Sequence, residues 1–264
     1  MHNTLTFTLI QTQLHWEDKA ANLQMLEQKI NSIDVKTEIV VLPEMFTTGF
    51  SMQPNLFAEK MDGVTINWMK QQATKHKIIL CGSVMIEEEG NYFNRFVWMQ
   101  PNGVCATYDK KHLFAFAGEN NFFTAGKNQI ITQANGLKIK PLICYDLRFP
   151  VWARQQTNNA NDMYDVLLYV ANWPERRSYA WKSLLFARAI ENQCFVIAVN
   201  RIGKDGNDIN HSGDSMIINP LGEIIYSNAN EEAIFTYTIN KVEIEEIRNR
   251  FPFYKDADGF NIPL

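Results

Sequence analysis

Residues 165–199 read DVLLYVANWPERRSYAWKSLLFARAIENQCFVIAV. Two apolar runs, Asp165 to Val170 and Cys194 to Val199, have the length and β-branched content of buried strands. Between them, Ser178 to Asn192 places Trp181, Leu184, Leu185 and Ala189 at helical spacing, a stripe that reads as core rather than as a cofactor contact. Arg188 and Glu191 flank it and are predicted to pair across a packed helix interface. Strand, helix, strand is the signature of an α/β layer.

The same texture continues outward. Upstream, Leu137 to Cys144 is a strand that ends on a cysteine. Further back, Leu5 to Ile10 and Glu38 to Leu42 read as strands, the second stopped by Pro43. Helices are predicted from Asp18 to Ile33, carrying Leu23, Leu26 and Ile30, and from Val64 to His76. Lys77 to Val84 is another buried strand. Tyr92 to Met99 and Val104 to Tyr108 form a hairpin around Pro101-Asn102-Gly103. Downstream, Ser215 to Tyr226 is a hairpin around Asn219-Pro220-Leu221-Gly222, followed by Ala233 to Tyr237. A polar helix is predicted from Lys241 to Arg250, its charges forming a solvated face with i,i+4 pairs. The tail from Asp256 to Leu264 is either mobile or covers a neighbouring subunit. With no repeat and no Gly/Ser linker, residues 1–264 are predicted to form one domain, of which 241–264 are a C-terminal helix and tail. The strands can form two face-to-face β layers or one wide sheet.

Composition narrows the function. Of 264 residues, 46% are hydrophobic and 20% charged, which argues against disorder and coiled coil. A net charge of -4 gives no global basic field for nucleic acid or anionic lipid. No apolar run approaches the roughly 18 residues of a spanning helix, and Met1 to Leu5 lacks the basic region of a signal peptide. A cytoplasmic protein with no membrane or nucleic-acid partner is expected. Cys81, Cys105, Cys144 and Cys194 form no CxxC pair, and no histidine lies near them at ligand spacing, so neither a metal site nor disulfides are predicted.

Three segments carry chemistry. Glu44 follows an apolar strand among apolar neighbours, where partial burial raises a carboxyl pKa towards general-base work. Taken alone it reads more readily as an exposed loop residue. Lys110-Lys111 leaves a strand into His112-Leu113-Phe114, where a lysine can stabilise developing negative charge; paired lysines are also ordinary solvated turns. Cys144 ends a buried strand before a polar turn, like a nucleophile on an elbow. A free thiol with a pKa of about 8.5 is only a few per cent thiolate at neutral pH, so it needs a base or cation nearby. A Cys-His hydrolase is the rival, with His112 or His211 as base. His2, His15 and His76 are terminal or at helix edges.

Together these segments resemble the nitrilase superfamily of carbon–nitrogen hydrolases. LPEMFTTGF (42–50), YDKKHLF (108–114), ICYDLRFPVW (143–152), ANWP (171–174) and ARAIENQ (187–193) resemble its ω-amidase branch. The resemblance runs from the first strand to about residue 226. It implies a four-layer α-β-β-α sandwich that associates as a dimer or larger oligomer, here a homodimer. It makes Glu44 the general base and Cys144 the nucleophile. The lysine lies two residues after the tyrosine and two before the histidine of its motif, which selects Lys110 over Lys111. Gly118-Glu119 matches a second family signature, so Glu119 orients Lys110. The oxyanion falls to Lys110 and the Tyr145 backbone N–H. The implied reaction is ammonia release from the ω-amide of a 2-oxo acid, 2-oxoglutaramate or 2-oxosuccinamate, through a cysteine thioester, with no metal or cofactor and a link to methionine salvage. Another small amide, a carbamoyl compound or a nitrile is the alternative, and a catalytically silent scaffold is a rival of a different class. For the substrate carboxylate, Arg177 is the favoured clamp. Arg176 is a further candidate, and Arg148 is read first as a structural ion pair. Trp173 and Phe50 serve as pocket walls or as ordinary packing.

Overall fold

The structure is a computed structural model that describes residues 3–156 and 163–262. In the first half, β1 (Thr4–Gln11), β2 (Ile39–Val41) and β3 (Ile79–Glu88) pair in parallel, with α1 (Lys19–Asn31), the single turn α2 (Pro54–Phe57) and α3 (Val64–His76) between them. β3 continues antiparallel into β4 (Asn91–Met99) and β5 (Cys105–Asp109). In the second half, β6 (Thr132–Ala134) pairs antiparallel with β7 (Leu137–Ile143). β7, β8 (Val166–Ala171) and β9 (Phe195–Asn200) are parallel, with the short α4 (Pro150–Ala153) and then α5 (Ser178–Asn192) as their connections. β10 (Ile202–Lys204), β11 (Asn210–Ile218) and β12 (Ile224–Ala229) complete this seven-stranded sheet. The chain then returns: β13 (Ala233–Asn240) pairs with β1 and closes the six-stranded first sheet before α6 (Lys241–Arg250).

The period-two alternation of strands decides the layers. Phe7, Leu9, Ile39, Val41, Phe96 and Trp98 join a core shared with β7, β8 and β9. Their neighbours Ile10, Val40, Leu42, Val97 and Met99 pack instead with Leu26 and Ile30 of α1 and with Ile66, Met69 and Ala73 of α3. Trp181, Leu185 and Ala189 of α5 and Ile244 of α6 cover the other sheet. Sheets covered on both faces need apolar residues at every position, which is why Val166 to Ala171 are all buried. Each such side chain contributes about 1.5–3 kcal/mol. The result is one α/β domain in four layers, α-β-β-α, and two packed sheets rather than one wide one.

Some expectations are corrected. Arg188 and Glu191 pair within α5 at 2.9 Å, and the second guanidinium nitrogen of Arg188 donates to the Leu147 carbonyl at 2.6 Å. No i,i+4 pairs run along α6 among the described residues. Its cations dock on the body instead: Arg248 donates to the carbonyls of Gln193 and Tyr164 at 3.0 and 2.7 Å, and Lys241 lies 3.7 Å from Asp165. The expectation for the tail is not among these: Ile262 packs against the chain's own core, and Pro263 and Leu264 lie outside the described residues. β6 and β10 were not foreseen; at three residues each they are too short for a periodic signal.

Candidate active site

Glu44, Cys144 and Asn172 each follow the C-terminal end of a central parallel strand, where α/β sheets place their ligands. Glu44 lies in the turn after β2. That turn is pinned by Ser83, whose hydroxyl accepts the Met45 N–H at 2.8 Å and whose carbonyl accepts the Phe46 N–H at 3.2 Å. Gly82 makes room for it: a Cβ there would lie 2.8 Å from the Phe46 ring. Lys110 follows β5, and its N–H donates to the Asn94 carbonyl at 3.0 Å. Gly126 presses against this segment, since a Cβ would fall 2.0 Å from the Asp109 carbonyl oxygen. Cys144 opens a 3-10 turn with φ +43°, a sparsely populated conformation for a residue with a Cβ.

The structure brings the predicted residues together. The Lys110 ammonium lies 2.8 Å from Glu44 Oε1 and 3.0 Å from both oxygens of Glu119, and all three side chains have no solvent exposure. Glu44 Oε2 accepts the Asn172 N–H at 2.8 Å, so Glu44 is tied to the second sheet. Glu119 Oε2 accepts the Phe114 N–H. Burial opposes the charge on Lys110, but Glu119 and Glu44 outweigh it and raise the ammonium pKa. Burial raises the Glu119 pKa against the pull of Lys110, and Glu44 adds to the rise. Burial, and then the negative charge of Glu44, push the Cys144 thiol well above the ordinary thiol range, while Lys110 only partly compensates. Both effects favour the thiol form of Cys144 over the thiolate.

Two residues escaped the sequence reading. Asn94, buried on β4, donates from Nδ2 to Glu44 Oε1 at 2.8 Å and to Glu119 Oε1 at 3.3 Å. It shares the load of two carboxylates with a single ammonium. With Arg95 beside it and Asn91 at the start of the same strand, nothing in the sequence singles it out. Asn172 escaped although it follows an apolar strand just as Cys144 does.

Above the thiol opens a cavity of about 230 Å³ whose lining includes Phe50, Phe114, Tyr145, Arg148, Trp173, Arg176 and Arg177. The Arg148 guanidinium sits 5.0 Å from the Trp173 ring centre and that of Arg177 sits 5.0 Å from the Phe114 ring. Neither has a carboxylate partner among the described residues, so the structural ion pair expected for Arg148 is not formed. Arg148 belongs to the cavity because its side chain leaves the turn after Cys144 towards Trp173 rather than towards an acid. Burial, and then the neighbouring cations Arg176 and Arg148, lower the Arg177 pKa. Phe50 and Trp173 both line the cavity and pack: Phe50 lies 5.0 Å beneath the Lys110 ammonium, and Trp173 lies 5.3 Å from Trp181.

The histidine rival loses its geometry. His112 Nδ1 lies 2.8 Å from Asp146 Oδ1, and His211 Nδ1 lies 3.0 Å from the Ile209 carbonyl. Among the described residues neither ring bonds to Cys144, no group of three His, Cys, Asp or Glu side chains is placed to hold a metal ion, and no helix is long and apolar enough to cross a membrane.

Comparison with known proteins agrees with this architecture. The carbon–nitrogen hydrolase family model matches residues 6–249. Omega-amidase YafV of Escherichia coli K12 is 43% identical over 259 residues, 98% of each chain. The 2-oxoglutaramate amidase of Bacillus subtilis 168 is 34% identical, covering 95% of this chain and 96% of its own. The crystal structure of XC1258 from Xanthomonas campestris, a CN-hydrolase superfamily protein with an arsenic adduct in its active site, superimposes with a TM-score of 0.96 at 40% identity over the whole of both chains. With two helix-covered sheets meeting at a buried Glu, Lys and Cys, and a family match over nearly its whole length, the chain belongs to the carbon–nitrogen hydrolase family.

Proposed function

We propose that the protein is an ω-amidase that releases ammonia from the ω-amide of a 2-oxo acid, 2-oxoglutaramate first and 2-oxosuccinamate second. The observation that carries this reading is a Glu-Lys-Glu cluster beside a thiol, beneath a small cavity bearing arginines without acid partners. The cluster supplies amide chemistry, and the arginines supply a seat for a carboxylate. The 43% and 34% identical relatives named for these activities support the substrate class.

In the reaction, Cys144 Sγ attacks the amide carbon while its proton passes to Glu44. The negative charge gathers on the carbonyl oxygen, received by the Lys110 ammonium and the Tyr145 N–H. Losing one such donor typically costs about 2.7–4 kcal/mol of transition-state stabilisation. Glu44 returns the proton to the nitrogen, the C–N bond breaks, and ammonia leaves behind a thioester. Glu44 then takes a proton from water, whose oxygen attacks the thioester carbon; the C–S bond breaks and the thiol is restored. Glu119 holds Lys110 in its charged form throughout. No step uses a metal or organic cofactor. Arg177 takes the substrate carboxylate, assisted by Arg148, with Trp173 and Phe50 as walls.

The test is ammonia release by purified protein from 2-oxoglutaramate, 2-oxosuccinamate, glutamine, asparagine and a simple nitrile, with Cys144→Ala as the blank. Turnover of the two oxo-amides far above the rest, with a dead blank, supports the proposal. Preference for the nitrile, a carbamoyl compound or another amide would move the activity elsewhere in the family. A cytoplasmic homodimer is part of the same proposal. Ile190, Leu221 and Ile224 are exposed apolar side chains, and Gly222, between the last two in sequence, backs onto Ile190. Light scattering that returned a monomer mass would remove this part.

A further inference from the structure

Glu44 and Lys110 follow strands of the first sheet, and Cys144 follows a strand of the second. Their mutual geometry therefore depends on how the two sheets are held at the site. Besides Glu44, whose Oε2 accepts the Asn172 N–H, a second carboxylate spans that seam. Asp146, two residues past Cys144, has no solvent exposure. Its Oδ2 accepts the Tyr108 hydroxyl at 2.8 Å and the Ile143 N–H at 3.0 Å. Its Oδ1 accepts the His112 N–H at 3.0 Å and lies 2.8 Å from His112 Nδ1. Three donors, the Tyr108 hydroxyl and the Ile143 and His112 backbone N–H groups, converge on its two oxygens, and an imidazole nitrogen faces one of them.

The partners are not arbitrary. Tyr108 and His112 stand two residues before and two after Lys110, and Ile143 immediately precedes Cys144. The same segments interlock around the carboxylate. The Tyr108 hydroxyl accepts the Trp152 Nε1–H at 2.9 Å and the Lys111 N–H at 3.3 Å. The His112 ring stacks on Phe149 at 3.8 Å with an interplanar angle of 8°. Two motifs far apart in sequence are thus halves of one latch closed on Asp146. Cys144 has particular need of it, since a residue at positive φ keeps that conformation only where its surroundings over-determine it.

We infer that Asp146 is a positioning residue, whose carboxylate sets the Cys144 thiol against the Lys110 ammonium by tying the two sheets together at the site. The inference rests on the proposed roles of Cys144 and Lys110, but not on the identity of the amide.

The experiment compares wild type, Asp146→Asn, Tyr108→Phe and the double variant. Iodoacetamide labelling of Cys144, mapped by peptide mass, counts competent thiols, and kcat and KM for the best amide are expressed per competent thiol. Misplacement of the reacting groups by about 1 Å predicts a loss of kcat on the order of 10²-fold in Asp146→Asn, with KM within about two-fold. Tyr108→Phe is expected to lose less, and the double variant no more than Asp146→Asn alone, because both act through one carboxylate. A residue that only holds the fold together would lower the number of competent thiols and leave kcat per thiol unchanged; that result in both single variants overturns the inference. If Asp146→Asn does not fold, Tyr108→Phe decides by the same measure. Turnover surviving in Cys144→Ala would instead overturn the proposed function, and with it the basis of the inference.

Discussion

The bottom of the cavity and its mouth are built on opposite principles. At the bottom every charge is answered: Lys110 bonds to Glu44 and Glu119, Asn94 bonds to both, and Asn172 caps Glu44. At the mouth Arg148 and Arg177 rest on aromatic faces with no acid partner among the described residues, and burial, followed by the neighbouring cations Arg176 and Arg148, lowers the Arg177 pKa. A closed network fixes geometry but selects nothing. Unanswered cations on rigid platforms carry a cost until an anion arrives, and that cost is what a carboxylate relieves. Chemistry is thus preorganised below, and recognition is left open above.

Substitutions at the bottom should be the most severe. Cys144→Ala removes the proposed nucleophile and should leave no turnover above background in an ammonia assay. Glu44→Gln removes the proposed base and should cost about 10²–10⁴-fold in kcat. Lys110→Met sharpens the comparison because it tests both activity and fold. It should lower kcat by about 10²–10³-fold through the lost oxyanion donor. It should also destabilise the protein by about 3–5 kcal/mol, because two buried carboxylates lose their cation; thermal melting reads this directly. A Lys110→Met protein that melts like wild type would break the picture of a mutually dependent cluster.

Arg177→Met should do the reverse. Losing a charge-assisted contact worth about 1.5–3 kcal/mol raises KM about 10- to 150-fold. Both kcat for bound substrate and the melting temperature should stay near wild type. A large fall in kcat with unchanged KM would place Arg177 with the chemistry instead.

The smallest effect is one of pH on the cavity wall. Burial, and then Arg201, push the His211 pKa down to about 4, against an ordinary value of 6.5. The unfolded chain therefore binds the proton first as pH falls, so the stability this neutral ring contributes is present above pH 6.5 and is lost as pH drops towards 4. By pH 5 the loss reaches about 2 kcal/mol. His211→Gln should flatten melting temperature against pH across this window, and an unchanged slope would contradict the assignment.

The bottom of the site was far more legible in the sequence than the mouth. Glu44, Lys110 and Cys144 each sit at a strand end, but that position alone left Glu44 and Lys110 as ordinary loop residues; the motifs shared with the nitrilase superfamily singled out all three and chose Lys110 over Lys111. Helices α3, α5 and α6 were placed at their observed limits by periodicity and flanking residues. Asn94 was missed because its partners lie 50 and 25 residues away and are reached only across the folded sheet. Arg148 was misjudged for a related reason: its sequence neighbours do not say whether an acid or an indole lies opposite. Why Tyr108 and His112 bracket Lys110 is visible only once Asp146 is seen between them.

The most direct test of the account is a rapid-quench experiment with 2-oxoglutaramate, followed by intact and peptide mass measurement. A buried thiol that attacks as Glu44 takes its proton predicts a transient adduct of substrate minus ammonia on the Cys144 peptide, forming far more slowly in Glu44→Gln. Turnover with no adduct on Cys144, or an adduct that forms at the same rate without Glu44, would contradict it.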